Sequence, residues 1–110
     1  MDQPLQITFK NMDTSPSAEQ VIREKVTDLE KYCNRIVSCH VTVEAPHRSH
    51  TKGRHFRVGI DLTVPGHEFV VSRDPAKKDS HEDIYVAIRD SFAAARRELK
   101  SYTEKMQKHR

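Results

Sequence analysis

The sequence predicts an α+β sandwich of the order β-α-β-β-β-α, with both helices on one face of a four-stranded mixed sheet. Four short segments alternate apolar and polar residues with the period of a half-buried strand, and two longer ones repeat apolar residues at intervals of three and four. Clusters of Pro, Gly and charged residues separate them. The β-α-β start makes the first two strands parallel if they are neighbours, the later hairpins are antiparallel, and a sheet with one apolar face requires both helices there.

Leu5, Ile7 and Phe9 alternate with Gln6, Thr8 and Lys10 in the first strand. Asp13-Thr14-Ser15-Pro16 then opens a helix, because Ser15 can cap the free amides and Pro16 suits a first helical position whose N–H would be unpaired anyway. Val21, Ile22, Val26, Leu29, Tyr32 and Ile36 share the inward stripe of this helix, expected from Pro16 to Asn34. In the second strand Val37, Cys39, Val41, Val43 and Ala45 point inward, and Pro46 ends the run. The polar segment His47 to Gly53 reads as an exposed loop. Phe56, Val58, Ile60, Leu62 and Val64 form the inner face of the third strand, Pro65-Gly66 turns the chain, and Glu68 to Ser72 returns as the fourth. Ser80-His81-Glu82-Asp83 matches a capping box, so the last helix is expected to begin there. Its inward stripe holds Ile84, Ile88, Phe92, Ala95, Leu99, Tyr102 and Met106, and its final turns are expected to project past the sheet.

A chain of 110 residues fits one compact domain, 1–110, with one core. Its apolar content of 35% and charged content of 32% would suit a disordered chain if scattered, but the periodic clustering argues for a polar-surfaced globular fold. No leader or membrane span is indicated. Cys33 and Cys39 lack a metal-type spacing and are expected to be reduced thiols in the cytoplasm, without a disulfide between them. A net charge of +3 permits an anionic partner, so the placement of the cations decides the matter.

On a wheel at about 100° per residue, Arg89, Arg96 and Lys100 fall within roughly 40° of one another beside the apolar stripe of the last helix, with Arg97 adjoining. Glu98 points elsewhere, and Asp90 reaches Arg97 only loosely. A charge run of this kind is most often a solvated face. On the first helix Lys25 flanks the apolar stripe, either as an anion contact or as a lysine whose stem covers the core edge. Arg23, Lys31 and Arg35 there alternate with acids. Arg48, Lys52, Arg54 and Arg57 form a second basic group that a flexible loop could bring to a phosphate backbone.

Chemistry of other kinds finds little support. His47, His50 and His55 show no recognised ligand spacing, so no metal is expected. Cys33 has no activating signature, no serine sits in a nucleophile elbow, and with only three glycines the familiar phosphate-cradling loops are missing. No catalytic residue, cofactor or small-molecule substrate is expected. Tyr85 and Tyr102 read as core edge rather than base-stacking platforms.

His81-Glu82-Asp83-Ile84-Tyr85-Val86-Ala87-Ile88, followed by Arg96-Arg97-Glu98-Leu99, resembles the second-helix signature of the ribosome hibernation-promoting factor and ribosome-associated inhibitor family. Leu29-Glu30-Lys31-Tyr32 is similar to that family's end of helix one, and Val64-Pro65-Gly66-His67-Glu68 to its strand-three turn. The resemblance runs in order along essentially the whole chain. It implies a fold similar to double-stranded-RNA-binding domains and a site on the bacterial small ribosomal subunit, in the channel of messenger and transfer RNA, where binding silences translation under stress. It further implies that basic residues on the two helices meet ribosomal RNA: Lys25 and Arg97 by matching position, with Arg89, Arg96 and Lys100 beside them. Arg23, Lys31, Arg48, Lys52 and Arg54 stand as further contacts. Two positions depart from the family pattern, Ala94 and Asp28, where relatives often carry basic residues. Longer members add a C-terminal domain that pairs ribosomes, which is not expected of this chain, and nothing in its residues supports a separate transcriptional role. The free protein is expected to be monomeric. The competing reading is a protein-interaction module that pairs with another chain through Tyr102 and Met106 at the end of the last helix.

Overall fold

A computed structural model describes residues 5–33, 35–45, 56–72 and 83–108, with residues 106–108 described by backbone alone. The element order is β1 (Gln6–Lys10), α1 (Pro16–Tyr32), β2 (Ser38–Glu44), β3 (Arg57–Val64), β4 (His67–Ser72) and α2 (Ile84–Lys108). The strands lie in the sheet order β1-β2-β3-β4, with β1 parallel to β2 and the other two pairings antiparallel. This is the α+β sandwich expected from the alternation of strand and helix periods.

Register follows from the pleat. Ile7, Val41, Ile60 and Val71 stand opposite one another across all four strands, as do Phe9, Val43 and Val58, so one face of the sheet is continuously apolar. Against it α1 buries Ala18, Ile22, Val26 and Leu29, and α2 buries Ala87, Ile88, Phe92, Ala95 and Leu99. Each large side chain removed from water in this way contributes about 1.5–3 kcal/mol. The buried set on α2 is wider than its predicted stripe, because Ser91 is also buried and donates from its hydroxyl to the carbonyl of Val58 at 3.1 Å. That bond satisfies the polar group and pins the helix to β3.

The helix ends were read with mixed success. Ser15 caps α1 by accepting from the Ala18 amide at 3.2 Å, and Pro16 begins the helix. The helix stops at Tyr32, two residues before the expected Asn34, where the Cys33 amide donates to the Leu29 carbonyl. The predicted start of α2 at Ser80 is corrected. The helix begins at Ile84, and Asp83 is its cap rather than a residue inside its first turn, since the Asp83 carboxylate accepts from the Tyr85 amide at 2.8 Å. Ser80, like His47, His50 and His55, lies outside the described residues.

Two predicted inward residues face solvent instead. Val37 precedes β2, and although its amide donates to the Thr63 carbonyl its side chain is exposed. Tyr32 is 37% exposed at the last position of α1. The hairpin turn is as expected: Gly66 takes a φ of 78°, the position of a Pro-Gly turn that a side chain would strain. Cys33 and Cys39 are free thiols, and burial, followed by the Asp61 and Glu30 carboxylates, pushes Cys39 up to about 12.

The outer face of the sheet is polar. The Thr8 hydroxyl and the His40 ring share a hydrogen bond at 2.9 Å, and Asp61 stands opposite His40 in register. No donor among the described residues reaches the buried Asp61 Oδ1, and the nearby Glu68 carboxyl is raised above its ordinary range, first by a hydrogen bond with Asp61 and then by that group's charge. Two carboxylates bond only while they hold a proton between them. A group raised on folding stabilises the fold at low pH, and that contribution is lost as pH rises through the folded value. Glu68→Gln is therefore expected to melt above the wild type at pH 7, with the gap closing toward about pH 4. Equal melting temperatures at pH 7 would mean that solvent relieves the repulsion.

Candidate nucleic-acid interface

The two helices cross the sheet side by side and run in the same direction. Ser17 and Tyr85 share a hydroxyl hydrogen bond at 2.8 Å near their starts, and Arg96 lies over the Tyr32 ring at 5.4 Å further along. Between these points is an open cleft of about 200 Å³ lined by Lys25, Asp28 and Leu29 from α1 and by Arg89, Phe92, Ala93 and Arg96 from α2. Both sets follow the spacing i, i+3, i+4, i+7 if Tyr32 is included, which places each on one helical stripe. Each stripe carries a long side chain with a polar tip at either end; between them α2 places Phe92 and Ala93, and α1 places Leu29 beside the Asp28 carboxylate.

Of the cations singled out in the sequence, Lys25, Arg89 and Arg96 meet in this cleft. Lys100 continues the Arg89–Arg96 stripe and is exposed, and Arg97 is exposed beside it, but neither lines the cleft. Arg23 and Lys31 are exposed on α1 outside it. Arg48, Lys52 and Arg54 lie outside the described residues.

Charge in the cleft is unbalanced, with three cations against the single carboxylate of Asp28. Arg89 also leans toward its neighbour Asp90 at 3.3 Å, a pairing that the reading of the helix wheel did not include. That pair is surface-exposed on the arginine side and is worth little, so the guanidinium stays available to an anion. Leu29 and Phe92 are buried below the cations and hold the stems on which they stand.

The far end of α2 is engaged within the fold. The Tyr102 ring stacks on His67 at 5.3 Å and meets Phe69 edge-on at 5.5 Å, while its hydroxyl donates to the Pro65 carbonyl at 3.3 Å. This aromatic group clamps α2 to the β3–β4 turn. It removes Tyr102 from the surface that a docking module would offer, and the Met106 side chain lies outside the described residues.

Sequence reasoning missed Tyr32 as part of this face, and placed Asp28 near it only as a departure from the family pattern. The signal was present in the matched spacing of Lys25, Asp28, Leu29, Tyr32 and of Arg89, Phe92, Ala93, Arg96. Which stripe of one helix meets which stripe of the other is a tertiary fact, so the match gains meaning only once the helices are packed.

A small α+β sandwich with a cationic cleft between its two helices is the class that fold and site define. The chain belongs to the family described as Sigma 54 modulation protein / S30EA ribosomal protein, whose model matches residues 5–107. A ribosome hibernation promotion factor from Deinococcus radiodurans is 24% identical over 105 residues, covering 96% of this chain and 51% of the relative. The chain thus spans about half the length of that relative. A ribosomal subunit interface protein from Coxiella burnetii has the same fold, with a TM-score of 0.73, 16% identity, and coverage of 91% of this chain and 97% of its own. The N-terminal domain of Protein Y from Thermus thermophilus matches with a TM-score of 0.68 and 17% identity, covering 88% of this chain and 94% of that one. At these identities the structural likeness speaks for the fold.

Proposed function

We propose that residues 1–110 form a single ribosome-binding domain that docks on the small ribosomal subunit through ribosomal RNA, blocks the channel of messenger and transfer RNA, and so silences and preserves idle ribosomes in the cytoplasm. The observation that carries this reading is the cleft in which Lys25, Arg89 and Arg96 converge from two helices. Cations at fixed spacing on rigid helices match a phosphate backbone, which positions a protein without demanding a particular base sequence. Family membership and the names of the relatives support a ribosomal partner.

In this reading Lys25, Arg89, Arg96, Arg97 and Lys100 meet the RNA, Arg23 and Lys31 flank the contact, and Arg48, Lys52 and Arg54, in the sequence before β3, extend it. The protein acts as a monomer, by occupancy rather than catalysis, and needs no metal or cofactor.

The test is co-sedimentation of purified protein with isolated small subunits across a salt series. Each phosphate contact contributes a slope of about −0.7 to −0.9 in log affinity against log salt, so four or five contacts give a slope of roughly −3 to −4.5. A flat salt response would overturn the phosphate mechanism and favour an apolar protein contact.

A further inference from the structure

Tyr32 has no evident structural task. It ends α1, it is 37% exposed, and its hydroxyl makes no hydrogen bond with a described residue. What its ring does meet is the guanidinium of Arg96, whose Cζ lies 5.4 Å from the ring centroid, at the mouth of the cleft. The two arginines of the cleft are thus held differently. Arg89 lies against the Asp90 carboxylate at 3.3 Å, which restrains it and offsets part of its charge. Arg96 makes no ion pair with a described residue and is restrained by an aromatic face, which attracts a cation without carrying a formal negative charge.

We propose that Tyr32 is a positioning residue for RNA docking: its ring holds the Arg96 guanidinium over its face at the cleft mouth, leaving its full charge and its fork of N–H donors for a phosphate. This deepens, and rests on, the reading of the cleft as an RNA-docking face. An exposed arginine must give up rotamer freedom when it grips an anion, and a side chain already held over a ring has less to lose. A planar guanidinium gains more from such a ring than a lysine ammonium does, because it stacks as well as attracts.

The test measures affinity for isolated small ribosomal subunits of the wild type, Tyr32→Phe, Tyr32→Leu, Arg96→Ala and the double variant Tyr32→Leu/Arg96→Ala. Alongside, the Arg96 Hε resonance of the free proteins is followed by NMR, since a proton above an aromatic face is shifted upfield. Tyr32→Phe is expected to keep the shift and to bind within about twofold of the wild type, because the ring remains. Tyr32→Leu is expected to lose the shift and about two- to fivefold in affinity, the worth of an exposed cation–π contact. The double variant should bind like Arg96→Ala alone, since without the guanidinium there is nothing to position. Wild-type affinity in Tyr32→Leu overturns the proposal. So does an equal further loss in the Arg96→Ala background, which would make Tyr32 a direct contact or a support of the fold. Failure of the wild type itself to bind overturns the docking reading and this role with it, and that result is told apart from failure of the role alone by the wild-type measurement.

Discussion

Reversal of Arg89, Arg96 and Lys100 together to glutamate is expected to abolish binding to the small ribosomal subunit and, with it, inhibition of cell-free translation. Each hydrogen bond to a charged group is worth about 1.5–3 kcal/mol, so three lost contacts weaken binding by at least roughly a thousandfold before any repulsion is counted. The fold should survive. All three side chains are exposed, and surface substitutions of this kind change stability by about 0.5 kcal/mol or less each. Lys10→Glu/Lys105→Glu is the control: both positions are exposed, and Lys105 falls roughly 160° around α2 from Arg89 at about 100° per residue. Binding assays in which this control fails as badly as the triple variant would replace a localised face with diffuse attraction.

One residue earlier on the same helix, the expected effect is of the opposite kind. Ile88 is 0% exposed and sits in the layer between α2 and the sheet. Ile88→Ala removes three buried carbon atoms and leaves a void that neighbouring side chains fill only in part, costing about 2–5 kcal/mol. For a chain of this length that lowers the melting temperature by roughly 8–20 °C. At a temperature where the variant is still folded, its affinity for the small subunit should stay near the wild-type value. A small melting shift would show that the core collapses into the space, while lost affinity in the folded variant would show that the cations depend on the packing beneath them.

The strands were the most legible part of the sequence. Alternation fixes which side of each strand is wet, and Cys39, Val41, Val43, Val58, Ile60, Leu62 and Val64 are all buried as that alternation requires. Positions at element ends were read less well, because periodicity counts a residue whether or not something covers it. Tyr32 keeps the spacing of the α1 stripe, yet the helix ends there and the neighbour it meets is an arginine of α2. Val37 keeps the alternation of β2 but precedes its first residue. At the start of α2, Ser80 and Asp83 both have cap chemistry, and the choice between them depends on where the helix packs on the sheet, which no local pattern contains. The candidate face was half legible: the wheel gathered Arg89, Arg96 and Lys100 and singled out Lys25 on the other helix, but only packing brings Lys25 to Arg89 and Arg96 and adds Asp28 and Tyr32. Arg89 turned to Asp90 for a related reason, since adjacent residues point apart on an ideal wheel while a long flexible side chain can fold back along the surface.

The order of the elements along the chain bears on when this face can exist. During synthesis β1 emerges first, but its partner β2 follows only after the whole of α1, and the hairpin of β3 and β4 comes later still. The helix that supplies Ile88, Phe92 and Leu99 to the core, and Arg89 and Arg96 to the cleft, follows every strand. Until it docks, the apolar side of the sheet is only half roofed and Lys25 stands without the arginines it later joins. The cationic cleft and a closed core therefore arrive in the same late step, so a nascent chain still waiting for α2 has a half-covered sheet and no cleft.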